Sequence, residues 1–202
     1  DAYKESTAMV SPQERANEVE KIIKMAQGKK INAFGSLSTG VGEVVVANSH
    51  GVFAYHPSTQ SILNIRMMGE SSTGYAGEIN LDFSKLEIEN AAQRAIAKVA
   101  AGANNIIEVR PWEWRSDSPY EVILEEPAVS EMMTYMTYLG FGARSFHEDR
   151  SFMSGMLNQK VMGDNITIWD DAFNEKLIPM PFDYQGMPKK PVTLIENGVA
   201  KN

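Results

Sequence analysis

Between Lys30 and Phe83 the chain is written in strand residues, and one four-residue cluster inside that stretch dictates how it can fold. Val44-Val45-Val46-Ala47 runs into Asn48-Ser49-His50-Gly51, and Val52-Phe53-Ala54-Tyr55 leads back out. Two β-branched and aromatic runs split by a turn-forming cluster predict an antiparallel hairpin. Leu63, Ile65 and Met67 alternate with Asn64 and Arg66, so a further strand with one buried face follows, and the region reads as an antiparallel meander.

Helices flank it. Ser11-Pro12-Gln13-Glu14 is a helix start, with Ser11 to cap, Pro12 where no N–H is needed and Glu14 to close a capping box. Ala16, Val19, Ile22, Ile23 and Ala26 recur at helical spacing, and Gly28 is placed to end the helix. A second capping-box pattern, Ser84 with Glu87, precedes the stripe Ile88, Ala91, Ala92, Ala95, Ile96 and Val99, which stops at Gly102. Asn104 to Pro119 carries Pro111, Trp112, Trp114 and Ser116-Asp117-Ser118-Pro119. That composition suits a connection between subdomains, which sets a first region at 1–103 and a second at 104–202.

In the second region Tyr120 to Leu124 reads as a short strand, and Pro127 opens a helix that stops at Gly140, with Val129, Met132, Met133 and Met136 as its core face. Phe141 to Lys160 is irregular, Ile166 to Trp169 is a strand, and Pro179 to Pro191 is a loop. Val192-Thr193-Leu194-Ile195 then meets Glu196-Asn197-Gly198, a strong short hairpin signal. Only Val199 to Asn202 are left for the return strand, and the first residue is Asp1. The expectation is a fragment cut at both ends from a larger α+β protein of antiparallel sheets with packed helices.

Charge and composition exclude several functions. The 19 Lys and Arg stand against 26 Asp and Glu, a formal charge of -7, which opposes attraction to a phosphate backbone. No apolar run approaches the roughly 20 residues that a bilayer-spanning helix requires, and no basic-then-apolar leader is present. The reading is therefore a cytoplasmic protein that binds neither nucleic acid nor membrane. With no cysteine there is no disulfide, thiolate nucleophile or Cys-ligated metal.

The candidates for chemistry are few. Gly35 to Gly42 contains three glycines but lacks the Lys and the following helix of a phosphate loop, so these are turn or bulge glycines. His50 and His56 match no helical ligand spacing. His147-Glu148-Asp149-Arg150 begins like a zinc-protease motif but has Ser151 where the second His belongs, leaving a solvated charged turn. Glu125-Glu126 and Asp170-Asp171 are explained by helix-start and turn roles.

Three blocks, Gly42 to Tyr55, Ser151 to Val161, and Pro181 to Pro188 with Thr193 to Val199, together resemble the TldD/PmbA family of zinc-metalloprotease-related proteins, also called modulators of DNA gyrase. The resemblance runs from about residue 11 to 202. It implies a cytosolic α+β protein of about twice this length that acts as a dimer on peptides or unfolded protein. In the TldD branch a His-Glu-x-x-x-His helix supplies two zinc ligands and a general base. Aligned backward from Ser154-Gly155, that helix falls on Thr134 to Leu139, so the two His positions hold Thr134 and Leu139 and the Glu position holds Tyr135. The chain thus resembles the PmbA, or TldE, branch, which lacks the motif.

The implied function is a subunit with no zinc or other cofactor of its own and no catalytic residue. It shapes a peptide chamber with a partner, either a TldD-type subunit carrying the zinc or a second copy. Tyr135, Tyr138, Arg144, His147 and Glu148, on or just after the segment replacing the metal helix, are the expected peptide-binding residues. The competing expectations are a divergent metallopeptidase active in its own right, and a regulatory protein-binding module of the gyrase-modulator kind.

Overall fold

The computed structural model describes residues 1–103, 122–174 and 178–202. The chain divides into two compact units, Asp1–Glu121 with Glu175–Pro179, and Val122–Asn174 with Met180–Asn202. The proposed connection at 104–119, and the first two residues of the strand expected over 120–124, lie outside the described residues.

In the first unit a short α1 (Glu5–Ala8) precedes α2 (Pro12–Gly28). The Ser11 hydroxyl accepts the Glu14 N–H at 3.2 Å, and the Glu14 carboxylate accepts the Ser11 N–H at 2.7 Å. The capping box read from the sequence is formed. The other end differs from expectation. Gly28 stays inside the helix, and Lys30, at φ 57°, takes the left-handed position. There its N–H and that of Ile31 reach back to the Gln27 and Ala26 carbonyls at 3.0 and 3.1 Å, so a lysine occupies the position glycine usually fills.

The meander is present with longer strands than expected: β1 (Asn32–Ala47), β2 (Phe53–Met68) and β3 (Thr73–Asn80), in that order across an antiparallel sheet. Sixteen pairs join β1 to β2, from Asn32↔Met68 to Ala47↔Phe53. The turn sits where the sequence places it. Asn48 Oδ1 accepts the His50 and Val52 N–H groups at 3.0 and 3.2 Å, and Gly51 takes φ 87°. The glycines of 35–42 lie within β1 rather than in a turn. Gly35 is required there, because at its φ of 154° a Cβ would sit 2.0 Å from the Asn64 carbonyl oxygen.

After a 3-10 turn at Phe83–Lys85 comes α3 (Ile88–Gly102). Ser84 and Glu87 do not form the second capping box. Asp82 Oδ1 takes both the Ser84 hydroxyl (2.7 Å) and its N–H (3.0 Å), so Ser84 is bound backward into the 3-10 turn, and Glu87 makes no cap bond. The same carboxylate accepts the Ser6 hydroxyl at 2.8 Å. These hydroxyls, that of Ser84 foremost, hold Asp82 below the ordinary carboxylate range.

The core of this unit lies between the sheet and the two long helices. Leu63, Ile65 and Met67 of β2 and Ala76 of β3 meet Ile22 and Ala26 of α2 and Ala91, Ala92, Ala95 and Val99 of α3. Three alanines on α3 let it settle against β3 so closely that a Cβ on Gly74 would lie 2.0 Å from the Ala95 carbonyl oxygen. Since β3, among the described residues, pairs only with Ser61 to Met68 of β2, the outer half of the hairpin extends past it. Val41, Val45, Phe53 and Tyr55 are exposed there.

The second unit has α4 (Glu126–Met136), a π turn at Thr137–Phe141, α5 (Ala143–His147), and a sheet of β4 (Ile168–Asp170), β5 (Val192–Glu196) and β6 (Val199–Ala200), in that order. The β5–β6 hairpin is as read: Asn197 and Gly198 take φ 50° and 79°, the pair of left-handed residues that matches the twist of two short strands. Val122 to Leu124 are outside any strand, with Ile123 96% exposed. The methionines of α4 are not core either. No residue of that helix is buried, and Met132 is 54% exposed, because α4 leans mainly on the turn that follows it. Among the described residues no helix is long and apolar enough to cross a membrane.

Candidate functional site: an apolar cleft beside an interrupted helix

The segment expected to replace the metal helix is where α4 changes winding. Thr134 and Thr137 each donate a side-chain hydroxyl to the carbonyl four residues back, Ser130 at 3.0 Å and Met133 at 2.9 Å. Such back-bonding loosens the regular ladder, and the next turn widens into π geometry. Gly140 closes it, because a Cβ there would lie 2.5 Å from the Phe152 ring. The Phe152 ring also meets Phe141 edge to face at 5.5 Å. The buried Ser151 fastens this turn to the chain beyond it, donating its hydroxyl to the Gly140 carbonyl and accepting the Met153 N–H at 3.0 Å.

Beside the π turn lies a cleft of about 680 Å³, all of it within the second unit. Met133, Phe141, Phe146, Met153, Ile168, Trp169, Val192 and Leu194 supply its apolar walls, and His147, Asp170 and Lys189 are its ionisable groups. β4, which carries Ile168, Trp169 and Asp170, is the edge strand of its sheet, and its register shifts between Ile168 and Trp169. A bulge of this kind re-aims side chains, and all three residues line the cleft. Trp169 remains 57% exposed.

Of the five residues expected to bind peptide, His147 lines this cleft and Tyr135, Tyr138, Arg144 and Glu148 do not. Tyr135 and Tyr138 are 62% and 81% exposed. Glu148 is engaged by Arg144 at 2.8 Å and by Arg150, which makes the His147–Arg150 stretch the charged turn read from the sequence. His50 lies in the hairpin turn, and His56 Nε2 donates to the Pro179 carbonyl at 2.8 Å. Asp171 has the turn role expected of it, accepting the Phe173 N–H at 3.1 Å.

The three positions aligned with the zinc motif do not fit a zinc ion. Thr134 spends its hydroxyl on a backbone carbonyl, Tyr135 is an exposed phenol and Leu139, 70% exposed, has no donor atom. Among the described residues no three His, Cys, Asp or Glu side chains group as a metal site. What the site offers is an apolar, partly open recess with a cation, an imidazole and a carboxylate, next to a strand that has one unpaired edge among the described residues.

The fold and site together define a two-unit α+β protein, each unit an antiparallel sheet with helices, with an apolar cleft in the second. Its sequence matches the PmbA/TldA metallopeptidase central domain over residues 5–102 and the PmbA/TldA metallopeptidase C-terminal domain over 117–202, and the chain belongs to the PmbA/TldD family. A protein of unassigned function from Methanocaldococcus jannaschii is 27% identical over 169 residues, 83% of this chain and 38% of that protein.

Two solved structures match over the whole chain. One is a protein from Thermotoga maritima described as a candidate modulator of a DNA gyrase, with TM-score 0.82, 18% identity and 47% of that chain covered. The other is TldE from Thermococcus kodakarensis, with TM-score 0.75, 22% identity and 46% covered. The chain spans less than half the length of each of these relatives.

Proposed function

We propose that this chain belongs to a non-zinc subunit of a PmbA/TldD-type peptidase assembly, in the cytoplasm, and that it helps shape a chamber for peptides or unfolded protein. One observation carries the reading. Where the resemblance puts the metal helix of the zinc-binding branch, this chain winds into a π turn and presents an apolar cleft beside β4, whose outer edge pairs with no other strand among the described residues. An extended peptide can pair its backbone with such an edge, a mode that asks little of the peptide's sequence. The hydrolytic step then falls to a partner that carries zinc and its activated water, a TldD-type subunit. Likeness to a TldE structure supports that assignment over a self-sufficient peptidase.

The test is made on the full-length protein purified without chelator or metal-affinity tag. Zinc well below one per chain by elemental mass spectrometry is expected, with no hydrolysis of an unfolded polypeptide by the protein alone and hydrolysis once a TldD-type subunit is added. About one zinc per chain with chelator-sensitive hydrolysis by the protein alone defeats the reading.

A further inference from the structure

Resting on that peptide-binding reading, we propose that the cleft of the second unit is a subsite for one large apolar side chain with a carboxylate beside it. The volume, about 680 Å³, lies in the range of small-ligand and peptide sites. Its walls suit a flat or branched hydrocarbon: Met133 and Met153 offer two adaptable thioethers, and Phe146 and Trp169 two aromatic surfaces.

The charge of the occupant follows from the ionisable groups. Lys189 is half-buried at the cleft and forms no ion pair among the described residues. His147 lines the same space. A cation set among apolar walls gains most from a carboxylate, which completes its hydrogen bonding where water is partly excluded. Asp170, also in the lining, is exposed and keeps its water, so Lys189 is the cleft's half-buried charge. A pure hydrocarbon ligand would leave the half-buried Lys189 ammonium further covered and unpaired, at a cost that disfavours it. The chemistry that suits the apolar walls and Lys189 together is therefore a peptide in which a Phe- or Leu-like residue adjoins a carboxylate. That carboxylate is either the peptide's own C-terminus or the side chain of a neighbouring acidic residue.

The experiment uses the full chain with methionine methyls labelled in carbon-13. Peptide titrations are read at Met133 and Met153, and Met67 in the core of the first unit reports that the fold is intact. The probes are Ac-Gly-Gly-Phe-OH, Ac-Gly-Gly-Gly-OH, Ac-Gly-Gly-Phe-NH2 and Ac-Gly-Phe-Asp-Gly-NH2. Burial of the phenyl group predicts about 30-fold tighter binding of the Phe acid than of the Gly acid. Removal of the carboxylate weakens the Phe peptide about threefold.

Ala143→Phe, which fills the cleft from an exposed position, abolishes the preference for Phe, and Lys189→Gln abolishes the preference for a carboxylate. If either carboxylate source binds more tightly than the Phe amide the proposal stands, and the tighter one identifies the source. Equal affinity for the Phe and Gly acids overturns the subsite while leaving peptide binding in place. No shift at Met133 or Met153 with any probe also overturns it, and hydrolysis with an added TldD-type subunit then decides the broader reading independently.

Discussion

Gly74→Ala and Gly77→Ala place the same methyl group on the same strand, and the structure separates their consequences sharply. At Gly74 the new carbon would lie 2.0 Å from the Ala95 carbonyl oxygen and 2.9 Å from both the Ala95 carbonyl carbon and the Lys98 Cβ. With ordinary contact near 3.4 Å, β3 and α3 must part by roughly 1.4 Å. Nothing at this contact can yield by rotating, because Ala91, Ala92 and Ala95 are fully buried and have no rotamers to change. The separation loosens the packing of α3 over Met67 and Ala76. Overpacking against backbone puts the cost at about 3 kcal/mol.

At Gly77 the first atom met is the Tyr75 hydroxyl, at 2.8 Å. That is the end of a flexible exposed side chain, whose hydrogen bond to Asn64 Oδ1 (2.8 Å) can be exchanged for water at a cost of about 1 kcal/mol or less. Replacing a strand glycine returns a similar amount, so Gly77→Ala stays within about 0.5 kcal/mol of the parent. Urea denaturation of the full chain, followed at the Met67 methyl resonance, distinguishes the two, and Gly74→Ala also lowers the melting temperature by about 10 °C or more. Equal midpoints for the two variants would refute the claim that backbone contact at Ala95 limits how near α3 can come.

Ser11→Ala removes the cap acceptor of α2 and lowers stability by about 1 kcal/mol, measurable in the same denaturation experiment. Asp82 is ionised more readily in the folded chain than in the unfolded one, so its contribution is complete above the unfolded pKa of about 3.9 and disappears as pH falls through the lower folded value. Asp82→Asn is therefore expected to be less stable than the parent near neutrality, with the gap closing below about pH 4 in a pH series of melting curves. Gly198→Ala meets both a φ of 79° and the Met162 and Gly163 carbonyl oxygens at 2.5 and 2.7 Å. It should cost more than about 2 kcal/mol and shift the Ile195 amide in the β5–β6 hairpin, an outcome that thermal melting and amide spectra check.

What the sequence discloses depends on how far apart the deciding atoms are. Ser11 and Glu14 settle the start of α2 between themselves, and Asn197-Gly198 settles a hairpin within two residues, so both are legible. Ser84 looks identical to Ser11 on paper, but Asp82 stands two residues before it and captures its hydroxyl, a competition that a four-residue motif does not register. The glycines of β1 read as punctuation because the close approach to Asn64 that explains Gly35 comes from another strand.

The cleft was legible only at His147. Trp169, Lys189 and Leu194 reach it from stretches tens of residues away, and no periodicity ties them to the helix they face. Met133 and Met153 give no such signal, since a thioether in a wall and a thioether in a core look alike in sequence.

The π turn carries a consequence for matching helix positions by count. A helix that accommodates one extra residue rotates everything after it by about 100°, so a count of positions that crosses Thr137–Phe141 is ambiguous by one place. Moving the count back brings Met133, Thr134 and Tyr138 under the TldD-type motif, and moving it forward brings Tyr135, Met136 and Gly140. Neither shift recovers an imidazole or a carboxylate. One extra residue in a helical turn is enough to swing the face beyond it through more than a quarter of a circle.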